Sequence, residues 1–267
     1  MSTKFSTSNE SDYITAIIEE EDTEQPLEPT LIRKKRTVIK QPPLDKFLID
    51  DSSIIEIGVD EVGRGPMFGR VYTAAVILPK DNSFNHTLMK DSKKFHSKKK
   101  IDETAEYIKQ NCIAWNVSYE DEKTIDSINI LQATQKSMHK SILGAKQKYL
   151  DTNPDLSLNK FQLLIDGNYF NPISFLNKQR GIIETMPHIC IEGGDNKYTS
   201  IAAASILAKV ARDEYIEQMC VEYPELIEKY GLDSNKGYGS KQHMEGIKKH
   251  GITIWHRRSF GICKEYV

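Results

Sequence analysis

Nowhere in the chain do about 20 apolar residues follow one another, the length a membrane-spanning helix requires, so no membrane association is expected. Cysteine is scarce as well. The four in 267 residues, Cys112, Cys190, Cys220 and Cys263, stand far apart with no paired spacing. That argues against a zinc motif and a disulfide framework, and it suits a reducing compartment. The opening residues Met1 to Glu10 lack the apolar core of a secretory signal, so a cytoplasmic protein is expected. Nor is there a basic excess. Lys and Arg total 36 against 38 Asp and Glu, a net charge of −2, whereas a nucleic-acid binder is more often basic overall.

Placement of the charges says more than their sum. Acids gather at Glu19-Glu-Glu-Asp22. Lys93, Lys94, Lys98, Lys99 and Lys100 form one basic group; Lys236, Lys241, Lys248 and Lys249 with His256, Arg257 and Arg258 form another. Either could face phosphates, although the lysines after Ser97 read equally well as a solvated helix face. Residues 1 to 50 are polar, first acidic, then basic at Arg33-Lys-Lys-Arg36, then broken by Pro42-Pro43. They are expected to form a disordered extension, with the tetrad as solvated charge and a nuclear address or nucleic-acid tether as the alternative. Residues 51–267 are enough for one domain with a substantial core.

Within that domain the pattern alternates between strands and helices. Ile54 to Val59, Val71 to Leu78, Ile113 to Tyr119, Phe161 to Ile165 and His188 to Ile191 read as strands. Helices are expected over 97–110, 127–149 and 200–219, the last so rich in alanine that close packing on a sheet is its simplest reading. Short connections favour antiparallel pairing of the first strands. The architecture is therefore α/β, a mixed five-stranded sheet flanked by helices with a C-terminal helical segment.

The run Gly58-Val-Asp-Glu-Val-Gly-Arg-Gly65 carries the chemistry. It puts Asp60 and Glu61 at the end of an apolar strand, then a glycine-flanked arginine. Neighbouring strand residues point to opposite faces, so both acids can serve one pocket only if the chain is turning there. Gly63 and Gly65 permit a turn and leave peptide N–H groups open to a sugar or phosphate, with Arg64 alongside. An isolated Asp-Glu pair is ordinarily surface charge. Here a second strand, Phe161 to Ile165, also ends in an acid and a glycine, Asp166-Gly167, and Asp195 follows in a small-residue loop before the alanine-rich helix. If the first and fourth strands are neighbours, four carboxylates converge, and divalent cations relieve their repulsion. Oxygen-only ligands favour Mg²⁺ or Mn²⁺ over zinc.

Asp60-Glu-Val-Gly-Arg-Gly-Pro66, Asp91-Ser-Lys-Lys94, Leu164-Ile-Asp-Gly-Asn168, Ser200 to Asp213, Lys236-Gly-Tyr-Gly239 and His256-Arg-Arg-Ser-Phe-Gly261 occur in the order and spacing of ribonuclease HII. The chain resembles this type 2 ribonuclease H family over about residues 52–263. The resemblance implies a ribonuclease H-like fold, hydrolysis of the RNA strand of RNA–DNA hybrids, and nicking on the 5′ side of single ribonucleotides in duplex DNA. It implies two Mg²⁺ or Mn²⁺ ions held by the catalytic acids Asp60, Glu61, Asp166 and Asp195. Asp195 is preferred to Asp213 as the fourth acid because Gly194-Asp195 matches the family's Gly-Asp. It also implies that Tyr238, with the Gly63-Arg64-Gly65 backbone, senses the ribose 2′-hydroxyl. Lys93, from the first basic group, is expected to contact substrate.

Three positions depart from the family pattern. Asn235 stands in place of histidine, Ser240 in place of threonine, and Gly193 where a lysine or other polar residue is usual. A monomer is expected, with contact to a sliding clamp left open. Rival readings are a related-fold nuclease acting on DNA alone, a ribonuclease HIII-like enzyme restricted to continuous hybrids, and a silent hybrid-binding protein.

Overall fold

The apolar run before Asp60 becomes the central strand of a five-stranded sheet in the computed structural model, which describes residues 42–154, 160–177 and 180–267. The strands are β1 (Ile55–Val62), β2 (Val71–Ile77), β3 (Ala114–Glu120), β4 (Phe161–Asp166), β5 (Ser174–Asn177), β6 (Ile182–Thr185) and β7 (His188–Ile191). Their order in the main sheet is β3-β2-β1-β4-β7. The pair β1–β2 is antiparallel, as its short connection favours; β2–β3 is antiparallel too, although its connection is long and carries α1, while β1–β4 and β4–β7 are parallel. The β5–β6 hairpin has no counterpart in the sequence reading: its strands are four residues each, too short for an alternation signal.

Helix α2 (Glu122–Thr152) covers one face of the sheet, packing Met138, Ile142 and Ala145 on Ile57, Val59 and Leu163. It starts five residues before the expected Ser127, because Asp121 accepts the Thr124 N–H at 2.8 Å and caps it. Asn129 then interrupts it at φ 68° and re-caps the chain by accepting from Gln132 N–H. The other face takes α1 (Lys98–Asn111) and α3 (Thr199–Glu222), whose Ala202, Ala203, Ala204 and Ala208 are fully buried against the sheet side of Ala74 and Val76. Gly58 makes this approach possible. A Cβ there would stand 2.2 Å from the Ser200 carbonyl carbon.

Helices α4 (Glu225–Tyr230), α5 (Leu232–Asn235) and α6 (Lys241–His250) build a separate apolar cluster around Phe68, Met67 and Ile247. This cluster ties the loop after β1 to the loop around Tyr238: Met67 N–H donates to Gly237 O, and Gly69 N–H to Trp255 O, both at 2.9 Å.

Residues 42–267 form one unit, starting nine residues before the expected boundary. The segment before β1 is bonded to that unit. Buried Glu56 accepts the N–H groups of Leu48 and Ile49, and Asp45 N–H donates to Lys197 O. The acidic run Glu19 to Asp22 and the tetrad Arg33 to Arg36 lie outside the described residues. No helix among the described residues is long and apolar enough to cross a membrane.

Candidate active site

Strand β1 does not end at Asp60. It runs on to Val62, paired with β2 through Asp60↔Ala74 and Glu61↔Thr73, and turns only at Gly63, at φ 93°. Alternation therefore still applies. Asp60 lies on the α3 side, close enough to Ser205 for that hydroxyl to favour its charged form, and Glu61 shares the face of Thr73. Parallel pairing of β1 with β4 ends at Val59↔Ile165, so the next residues along, Asp60 and Asp166, emerge side by side. Asp166 in turn pairs with Ile191 of β7, which leads through Gly193-Gly194 to Asp195. Asp166 Oδ1 accepts the Gly194 N–H at 2.7 Å, which fixes that loop to the strand end.

The resulting electrostatics are those of an acid cluster short of counter-charge. Asp60 is buried, and burial, Glu61 and Asp166 hold its carboxyl well above the usual carboxylate range. Glu61 is raised by burial and by Asp166, with Arg64, 3.3 Å away, opposing. Asp195 is raised by burial, Asp91 and Asp166, with Lys93 opposing. Burial works against the Lys93 charge, but Asp91, Asp195, Asp60 and Asp166 outweigh it and raise its pKa. All four expected acids and Lys93 thus share one electrostatic neighbourhood.

As the side chains stand, no three His, Cys, Asp or Glu groups among the described residues share an ion position. The donor chemistry fits a hard divalent cation all the same: carboxylate oxygens only, with burial and neighbouring acids disfavouring the charge of Asp60, Glu61 and Asp195 that a bound cation would favour, and Lys93 and Arg64 as the nearby positive side chains.

Asp91, Asn196 and Ser205 join this site without having been expected there. Asp91 Oδ1 accepts the Lys93 N–H at 2.9 Å. The Asn196 amide donates to Asp195 Oδ1 at 2.9 Å and to Asp91 Oδ2 at 3.3 Å, and Lys94 donates to Asn196 Oδ1. Asp91 had a signal in the sequence, as the acid two residues before Lys93 in the same block. Asp213, the competitor for Asp195, is paired with Lys209 one turn away on α3. Gly193, the departure beside Asp195, sits at φ 62° with no atom near its absent Cβ. There is room for a side chain, but the backbone conformation favours glycine.

Tyr238 is 47% exposed, and its ring lies 3.6 Å from where a Gly65 Cβ would be, so the tyrosine and the glycine loop face each other. The tyrosine loop is held from below. Asn235 Oδ1 accepts the Gly237 N–H at 2.8 Å while its amide donates to Tyr230 O at 2.7 Å, and Ser240 caps α6 by accepting from His243 N–H. Both departures from the family pattern are hydrogen-bonding residues in the frame of this loop.

Part of the second basic group needs correction. His256, Arg257 and also Arg212 are buried, while Lys241, Lys248 and Lys249 on α6 are exposed. The α6 periodicity is visible in sequence, but the inward turn of residues 252–258 is tertiary. Lys98, Lys209 and Lys236 line one cavity of about 360 Å³ with Ser92 and Asp213, each lysine paired with an acid.

Behind Tyr238 lies a histidine pair whose protons can be assigned. His256 Nδ1 must accept, because Thr253 N–H donates to it at 3.0 Å. Its proton is therefore on Nε2 and donates to His243 Nε2 at 3.1 Å, so His243 carries its own on Nδ1 and donates to Tyr238 O at 2.9 Å. The chain works only with both rings neutral. Burial lowers both pKa values, and burial with the neighbouring His243 takes His256 from 6.5 to about 3. The unfolded state then binds more protons between these values. Stability from the pair is expected to be complete above pH 6.5 and to fall toward pH 3, by up to ~1.4 kcal/mol per pH unit for each proton. Urea unfolding from pH 7 to 4.5 should show a steeper acid-side loss in the wild type than in His256→Asn. Parallel slopes would remove the pair from that linkage.

Known proteins resemble the chain in sequence and in fold. Residues 57–263 match the family model described as Ribonuclease HII. A ribonuclease HII of Parabacteroides distasonis is 41% identical over 211 residues, 79% of this chain and 92% of that one. Among solved structures, the ribonuclease H2 from Pyrococcus horikoshii OT3 superposes with a TM-score of 0.54 at 22% identity, covering 80% of this chain and 97% of the other. Bst-RNase HIII in complex with Mn²⁺ superposes with a TM-score of 0.55 at 20% identity, covering 80% of this chain and 70% of that one.

Proposed function

The chain belongs to the ribonuclease HII family, and from that premise we propose that it hydrolyses the RNA strand of RNA–DNA hybrids and nicks duplex DNA 5′ to a single embedded ribonucleotide. The observation that carries this reading is the meeting of two features on one side of the molecule. An acid cluster at the ends of β1, β4 and β7 continues, through Glu61 and the Gly63 turn, into a peptide loop facing an exposed tyrosine.

Asp60, Glu61, Asp166 and Asp195 would hold the ions, Mg²⁺ or Mn²⁺, two per site. The Mn²⁺ in the HIII structure of the same fold is consistent with that choice. When bound, such ions activate water and stabilise the leaving 3′ oxygen, leaving 3′-hydroxyl and 5′-phosphate ends.

The chain's own residues supply the rest. Lys93, exposed and kept cationic by the acids around it, meets the phosphate as the polyanion approaches. Arg64, bonded to Glu61, orients that carboxylate and presents a second positive group. Tyr238 offers a ring face to a sugar or base. The 2′-hydroxyl is the group by which a protein tells RNA from DNA at a given site, so specificity is for sugar and not for base sequence.

The test is cleavage of a labelled DNA duplex containing one ribonucleotide, with Mg²⁺ or Mn²⁺, beside an all-DNA duplex and a continuous RNA–DNA hybrid. Nicking 5′ to the lone ribonucleotide with the all-DNA control intact is expected. Cutting of the hybrid alone would replace this reading with an HIII-like one, and cutting of the all-DNA duplex with that of a general nuclease.

A further inference from the structure

The guanidinium of Arg257 is fully buried, yet among the described residues it makes no ion pair with a carboxylate. Its donors go to three backbone carbonyls instead. Nη2 donates to Gly63 O at 2.6 Å, Nη1 to Arg64 O at 3.0 Å and Nε to Gly69 O at 2.8 Å. Its own N–H is bonded to Met67 O at 2.8 Å, and the Phe260 ring covers it with its centroid 5.0 Å away. A buried charge spent on main-chain carbonyls is costly, and its three-point geometry fixes the planes of the peptides it grips.

Those planes have a direction. In a trans peptide the N–H points opposite to the C=O. With Gly63 O and Arg64 O turned inward to Arg257, the N–H groups of Arg64 and Gly65 turn outward, and neither donates to any protein acceptor among the described residues. Arg64 and Gly65 are exposed, and Gly65 faces the Tyr238 ring. A positive charge behind each peptide also polarises its N–H toward an acceptor in front.

We propose that Arg257 is a positioning residue for sugar recognition: it orients and polarises the Arg64 and Gly65 N–H groups so that they receive the ribose 2′-oxygen beside Tyr238. This rests on the functional reading above. Lysine at position 257 keeps the charge but loses the fork, since an ammonium cannot hold three carbonyls in these directions.

Two measurements test it. In steady-state cleavage, Arg257→Lys is expected to lose at least ~10-fold in kcat/KM on the single-ribonucleotide duplex, while the Ki of an all-DNA duplex added as competitor stays within about twofold. A purely structural role would weaken both together; kcat/KM is taken per active site by active-site titration, because a lower active fraction alone would leave Ki unchanged. Wild-type kcat/KM in Arg257→Lys, or parallel losses in both quantities, overturns the proposal. Should the variant fail to fold, the amide signals of Arg64 and Gly65 in the wild type decide. They should shift further with the single-ribonucleotide duplex than with the all-DNA duplex, and identical shifts overturn it. If the wild type itself does not nick at a lone ribonucleotide, the functional reading fails first. If it does and Arg257→Lys is unaffected, only this proposal fails.

Discussion

Asp60→Asn is expected to lower kcat by at least ~10³-fold, about 4 kcal/mol of transition-state stabilisation, with substrate affinity kept within a few-fold of wild type. Asparagine preserves the shape of a side chain buried in the central strand, and it can still accept from the Glu61 N–H, now 2.6 Å from Oδ1. What it removes is one negative charge from a cluster in which burial, Glu61 and Asp166 already raise the pKa of Asp60. Ion binding therefore weakens, whereas repulsion of the nucleic-acid backbone does not increase. Without added divalent ion the variant should melt no lower than the wild type, because a strained buried charge is gone. Turnover near the wild-type level would remove Asp60 from the mechanism. A large fall in melting temperature would turn the activity loss into an ordinary folding defect.

Gly63→Ala should be nearly as damaging for a different reason. At φ 93° an alanine is strained by about 1–3 kcal/mol. Its Cβ would also lie 2.4 Å from Arg212 Nε and 2.6 Å from Arg212 Cδ. Arg212 cannot step aside cheaply. It is buried, donates to Lys236 O at 2.8 Å and lies under the Tyr238 ring, 5.6 Å from its centroid. The substitution thus moves the glycine loop and the tyrosine loop together. A drop in melting temperature of several degrees is expected, with at least ~10²-fold loss of kcat/KM on a single-ribonucleotide duplex. Calorimetry and steady-state cleavage check the two. Intact melting and intact rate would mean that Arg212 has room the structure does not show.

The main strands and helices were legible from local pattern because each is long and uniform enough to announce its period. Phe161 to Ile165 is buried at every position but Gln162, and the alanines of 200–209 pack where small side chains were expected to. Boundaries were less legible. Asp60 reads as a strand end because acids are poor strand residues, but pairing with Ala74 carries β1 three residues past Val59. The four-residue strands of the β5–β6 hairpin are too short to declare themselves.

At the site, Asp60, Glu61, Asp166 and Asp195 could be listed as candidates because acids after apolar runs or in small-residue loops are local features, whereas Tyr238 came forward only through the resemblance to ribonuclease HII. Their relative placement could not be read locally. It depends on β1 lying beside β4, a pairing between residues more than 100 positions apart. Nor does local sequence distinguish a solvated cation from a buried one. His256 and Arg257 stand in a run with Arg258 that reads as a basic patch, yet tertiary packing turns the first two inward, where they support the backbone of the glycine and tyrosine loops. Sequence by itself determined the chemistry available to this protein: carboxylates for ions, peptide N–H groups and a ring for a sugar. Tertiary structure alone decided which charges face solvent and which stay inside, because burial is set by what packs above a residue and not by its neighbours in the chain.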